Sequence, residues 1–161
     1  MTKLVILTQN ERRRFDSPPT FNTNERALHF SLNNNDLQIV KELRIATNKV
    51  GFVLQLGYFR SNGKFYTTEQ FRRQDIEYVI STINVDPNKI NLLSYQKKIP
   101  ADHRKRILSI MHWQPFDQMQ QGKISAYALW LAQRQFSPKH IFLSIIDFCW
   151  QKKLNCQLTM Y

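Results

Sequence analysis

Lys97-Lys98, followed after four intervening residues by His103-Arg104-Lys105-Arg106, is the densest cluster of basic side chains in the sequence. Ammonium and guanidinium groups attract phosphates, and this cluster spans a turn and the first turns of a predicted helix. In helix-turn-helix proteins the start of the recognition helix meets base edges, while the turn before it holds the backbone. On that pattern, residues 71–84, 87–95 and 101–112 form a trihelical unit. Ile107 and Met111 are then buried, Lys105, Arg106 and Ser109 turn outward with Arg104 beside them, and Lys97 and Lys98 face phosphates. The competing reading is a solvated charged face. His103 stands at i and i+4 spacing to Ile107, which favours the rim of the core over DNA.

Further basic groups lie outside this cluster. Arg12, Arg13 and Arg14 sit together on a short helix with Phe15, spaced either to reach phosphates or a minor groove or to form an ordinary solvent face. Arg60, Lys64, Arg72 and Arg73 gather around the Gly63 turn, where phosphate anchoring is expected, with a structural role as the alternative for Arg60. The segment Gly57-Tyr-Phe-Arg-Ser-Asn-Gly-Lys64 superficially suggests a phosphate loop. It has one residue too many between its glycines, no Ser or Thr after the lysine and apolar helix before it, so no nucleotide site is expected.

Other chemistry is sparse. Cys149 and Cys156 lack the paired spacing of a zinc or redox motif, and His29, His103, His112 and His140 are scattered, so neither metal nor cofactor is expected. Trp113, Trp130 and Trp150 fall in helical surroundings that favour core burial over base stacking.

The charge balance agrees with a polyanionic partner. Across 161 residues, 23 Lys and Arg against 12 Asp and Glu leave a net charge of +11, densest in the middle third. Such a surplus converts into salt-sensitive affinity for duplex nucleic acid through counterion release. No basic amphipathic helix beside an apolar anchor suggests a membrane surface, and the stretch 141–150 is short and broken by Asp147. The opening 4–7 is too short for a signal segment, so a cytoplasmic protein is expected. An RNA-binding reading lacks an aromatic strand signature or a GXXG clamp.

Helices must position these groups. Thr8 with Glu11 marks a capping box ahead of Arg12, with Pro18-Pro19 as the stop, and Asn22 with Glu25 repeats the spacing. Asn34 or Asn35 is the expected cap of a helix burying Leu37, Val40 and Leu43. Residues 48–62 are apolar on most faces, which predicts a covered central helix ended by Asn62-Gly63, with Asn48 and Gln55 making buried hydrogen bonds. Thr67 with Gln70 starts a helix striped by Ile76, Val79, Ile80 and Ile83, and Asp86-Pro87 opens a short helix through Leu93. A helix over 101–112 follows Pro100. Later helices are striped by Ile124, Tyr127, Ala128 and Leu131, and by Ile141, Ile145 and Phe148 behind Ser137-Pro138. Only 4–7 and 154–160 read as extended, so the class is mainly α, in one compact domain over 1–161.

The run from Asn48 to Leu56, NKVGFVLQL, with Arg60 and Gly63-Lys-Phe65 behind it, resembles the N-terminal domain of Tn-three family transposases. Leu7-Thr8, the segment from Arg26 to Leu32, Asp102-His103, Ile107 and Phe116 continue the resemblance over nearly the whole chain. Pro100 and a tail without the usual proline depart from it. The resemblance implies a helical DNA-binding module recognising the terminal inverted repeats of a transposon. It also implies that strand cleavage belongs to a downstream RNase-H-like domain with three metal-binding carboxylates, for which 161 residues leave no room. The chain by itself is therefore expected not to be an enzyme, and self-association is expected through those downstream domains. From the residues alone, a helical protein-interaction scaffold with incidental positive charge is the alternative.

Overall fold

The computed structural model describes residues 5–95 and 98–155; Leu4, Lys97 and Cys156 lie outside the described residues, as does the side chain of Lys98. The chain is mainly α-helical, with α1 Gln9–Asp16, α2 Thr23–His29, α3 Asn34–Glu42, α4 Ala46–Asn62, α5 Arg73–Thr82, α6 Lys98–Ile110, α7 Gln118–Gln133 and α8 Pro138–Gln151. A two-residue parallel pairing joins β1 (Gln114–Pro115) to β2 (Leu154–Asn155). Two compact units emerge, Ser17–Ile107 and the combination of Met1–Asp16 with Leu108–Tyr161.

Local sequence chemistry sets most helix starts. Thr8 and Glu11 bond reciprocally, the Thr8 N–H donating to Glu11 at 2.9 Å and the Glu11 N–H to the Thr8 hydroxyl at 3.3 Å. Asn22 and Glu25 form the same box at α2. At α3 the cap is Asn33 and not Asn34 or Asn35, because Asp36 at the third helical position returns the bond to the Asn33 N–H. The expected box of Thr67 and Gln70 is present, but it closes only a 3-10 turn, Thr68–Gln70, and α5 begins after it at Arg73. The Asp86 carboxylate caps a second 3-10 turn, Pro87–Lys89, and a third follows at Leu92–Tyr95. The middle piece of the expected trihelical unit is thus two tight turns instead of an α-helix.

In the unit Ser17–Ile107, α4 is the central element. Every residue from Val50 to Tyr58 and on to Phe59 is buried, so the helix has no solvent face for an amphipathic pattern to mark. Gly63 ends it in the left-handed conformation at φ 68°, where its N–H donates to the Phe59 carbonyl. Helices α2, α3 and α5 pack on α4. Phe21, Phe30, Tyr58, Tyr66 and Phe71 form an aromatic cluster, with Phe30 edge-on to Tyr58 at 5.7 Å and Tyr66 edge-on to it at 5.3 Å. Gln55 is buried and clamps Tyr66 from both sides, donating to its carbonyl and accepting from its N–H. Leu37, expected in the core, is exposed, and Ile39 takes its place beside Val40.

In the other unit α7 packs on α8. Tyr127 of α7 stacks on Phe148 of α8 at 5.3 Å, and Phe15 of α1 meets Phe142 edge-on at 5.4 Å. Lys139 binds Glu11, which with the Thr8 bonds holds the Glu11 carboxyl down to about 2. Ser137 caps α8 with Pro138 at its first position. Trp130 and Trp150, expected in the core, are 46% and 42% exposed because they stand on the outer sides of α7 and α8.

Candidate nucleic-acid interface

The structure divides the basic residues into those committed to the fold and those left at the surface. In the unit Ser17–Ile107, Arg60 extends from α4 to donate to Asp36 at 2.6 Å and to the Ser31 carbonyl. Asp36 is 2% exposed, so the pair is a tether between α3 and α4. Arg72 donates to the Pro18 carbonyl at 2.6 Å and the Pro19 carbonyl at 2.8 Å, anchoring the proline pair to the start of α5. For Arg60 and Arg72 the guanidinium serves the interior, where its planar fork satisfies several acceptors at once. Lys64 is half-buried behind the Gly63 turn, and Arg73 is exposed and paired with Glu77 one helical turn on at 2.8 Å. Of the four basic residues expected to act together around Gly63, Arg60 and Arg72 are thus engaged by acceptors of the fold, while Arg73 remains at the surface.

Helix α6 carries the main cluster. Lys105 and Ser109 are exposed, four residues apart on one face, as expected. Arg106 is half-buried and bound to Glu42 of α3. Arg104 lies over the Phe65 ring, its guanidinium carbon 5.6 Å from the centroid, with a buried Nε that has no hydrogen-bond partner among the described residues. Ile107 is fully buried. His103 is buried too, its Nδ1 2.8 Å from the Tyr95 hydroxyl and its ring edge-on to Phe52. Burial, helped by Arg106 and opposed by Asp102, pushes the His103 imidazole down to about 4, so it is neutral at physiological pH. Lys97 and the Lys98 side chain lie outside the described residues.

In the other unit, Arg12, Arg13 and Arg14 are all exposed on α1, with Arg12 3.7 Å from Asp16. Arg134 of α7 covers the Trp130 ring at 3.7 Å.

Two groups escaped the linear reading. Asp75 is completely buried on α5, accepting from Arg26 Nε and from the Tyr58 hydroxyl, each at 2.7 Å. Desolvation raises the Tyr58 phenol well above its ordinary range. Nothing in a local window marks Asp75, whose partners are 49 and 17 residues away. The second group is cationic: Arg44, Lys49 and Lys89 line one surface depression of about 490 Å³ with Asn84 and Asp86. They come from three separate segments and form no run in the sequence. The apparent phosphate loop is absent, since Gly57 to Asn62 continue the α4 helix. Among the described residues no group of three His, Cys, Asp or Glu is placed to hold a metal ion. No helix among them is long and apolar enough to cross a membrane.

Comparison with known proteins adds a relationship to this geometry. The family model described as a domain of unknown function, DUF4158, matches residues 6–155. The transposase for transposon Tn1546 of Enterococcus faecium is 27% identical over 152 residues, which is 92% of this chain and 15% of that protein. The chain thus spans under a sixth of the length of that relative, and it is a transposase-related domain. No solved structure matches.

Proposed function

Because the chain belongs to the DUF4158 family across residues 6–155, we propose that it is the duplex-DNA-binding module of a Tn-three-type transposase, recognising the terminal inverted repeats of its element. The relationship to a transposase carries this reading. The net charge of +11 supports it, since phosphate neutralisation supplies most of the affinity of such modules. Exposed Lys105 and Ser109 of α6 are the side chains offered to base edges, with Arg104 next to them. Arg12, Arg13 and Arg14 supply a second basic group for phosphates or a minor groove. Because the chain corresponds to a small part of that relative, strand cleavage and self-association are assigned to other parts of a transposase, acting in the cytoplasm.

The test is fluorescence anisotropy with a labelled duplex carrying the terminal sequence of the element, against a scrambled duplex, over a salt series. Preferential binding to the terminal sequence, weakening steeply with salt, is expected. Equal affinity for both duplexes removes the recognition claim.

One observation favours a second reading, a protein-interaction module. Leu129, Trp130, Leu143 and Trp150 are all more than 40% exposed on α7 and α8. Exposed aromatic and aliphatic side chains in one helix pair suit a protein partner. Binding of neither duplex at low salt leaves this reading in place of the first.

A further inference from the structure

Within Ser17–Ile107 the fate of each cation separates structure from function. Arg26, Arg60, Arg72 and Arg106 are bound by carboxylates or carbonyls of the same unit. Arg44, Lys49 and Lys89 make no ion pair among the described residues, yet they share one concavity. Arg44 and Lys89 are exposed and Lys49 is half-buried; like charges repel, so gathering three cations around one hollow gains the fold nothing by itself. Asp86 is the one carboxylate in the lining, and it is engaged in capping the 3-10 turn through the Asn88 N–H at 3.0 Å.

The walls of the concavity are fixed. Thr47, 2% exposed in the first turn of α4, accepts from the Asn91 N–H at 2.9 Å and donates to the Lys89 carbonyl at 3.4 Å. Those two bonds hold the Lys89 segment against the helix that carries Lys49. Arg44 enters from the connection between α3 and α4. The three cations thereby come to line one surface depression together with Ala46 and Val85, a concavity that can receive a ridge of negative charge.

We propose that the Arg44, Lys49 and Lys89 depression is a docking site for the phosphodiester backbone of duplex DNA. The proposal rests on the DNA-binding reading above and adds to it three phosphate-holding residues that are not on α6. Contacts of this kind fix register without reading sequence, so they act alike on every duplex.

The experiment neutralises the three residues singly and together, as Arg44→Gln, Lys49→Gln and Lys89→Gln, and measures anisotropy on a mixed-sequence duplex and on the terminal-sequence duplex over a salt series. Each single change is expected to weaken both duplexes about three- to tenfold at low salt and to flatten the log–log salt slope by about one. The triple variant is expected to lose about 100-fold. Lys41→Gln, an exposed cation outside the depression, stays within about twofold of the parent. Asp86→Asn, which keeps a capping oxygen and removes the opposing charge, is expected to tighten both duplexes about threefold. Circular dichroism melts verify folding, and the single variants and Asp86→Asn carry the test if the triple variant unfolds. A parent that binds duplex while these variants match its affinity and slope overturns the docking site and leaves the DNA reading intact. A parent that binds neither duplex overturns both.

Discussion

Asp75 holds a buried position that faces two donors. Its two oxygens accept one bond each from Arg26 and the Tyr58 hydroxyl, and it is completely shielded from water. Replacing it with alanine strands a guanidinium that is 13% exposed and a buried phenol. Removing one partner of a buried pair costs far more than the pair itself contributes, so Asp75→Ala is expected to destabilise the protein by about 3 to 5 kcal/mol. Urea unfolding checks this, and a loss below about 1 kcal/mol contradicts the role given to Asp75. His103 makes a second residue-scale case. An unfolded imidazole takes its proton near 6.5, whereas the buried one resists until about 4. Between those values the unfolded chain binds more protons, so stability falls as pH drops through this window and levels off below it. The contribution lost is about 3 kcal/mol, and His103→Gln should lessen the drop in unfolding free energy between neutral and acidic pH. An identical drop in parent and variant assigns the acid sensitivity to other groups.

At the scale of elements, legibility followed the range of the interactions. Capping boxes at Thr8 and Asn22, the Ser137 cap, the Gly63 stop and the apolar run of α4 are local, and each is readable from a few residues. The cap of α3 is ambiguous in sequence because three asparagines in succession offer the same side chain, and only the position of Asp36 selects Asn33 among them. The turns at 87–89 and 92–95 look helical in sequence because Asp-Pro opens either structure, and their geometry depends on the tether from Thr47 in α4. The cations were the hardest: sequence marks where arginines cluster, but whether a guanidinium turns inward depends on a carboxylate or carbonyl many residues away, as for Arg60 and Arg72. Helix packing yields its own prediction. A Cβ on Gly57 lies 2.1 Å from the Phe30 ring, which is pinned against Phe21 and Tyr58. Gly57→Ala is therefore expected to cost about 1 to 3 kcal/mol by overpacking α2 against α4. Gly122→Ala in α7 meets nothing within 4 Å and is expected to gain up to about 1 kcal/mol from helix propensity. Thermal melts of the two variants should shift in opposite directions.

Over the whole molecule the two units differ in how completely their helices are covered. In Ser17–Ile107 the residues from Val50 to Phe59 are all buried, and α4 exchanges contacts with helices and turns on every side. In the unit that includes Leu108–Tyr161, α7 buries Gln120 and Leu131 and α8 buries Cys149, while several large apolar side chains on both helices face outward. Local opening becomes easier where few apolar contacts are lost and the backbone bonds are already near water. Native-state hydrogen exchange is expected to find the slowest amides in α4 and markedly faster exchange along α7 and α8, by about tenfold or more for a difference of about 1.4 kcal/mol in opening free energy. If the exposed apolar side chains of α7 and α8 serve a protein partner, adding that partner should slow exchange in these two helices and leave α4 unchanged. Added duplex should instead protect amides around Thr47 and Lys89, where the cationic depression is tied to the first turn of α4. Equal exchange rates in α4, α7 and α8 of the free protein indicate cooperative opening of the whole chain and contradict the distinction drawn between the units.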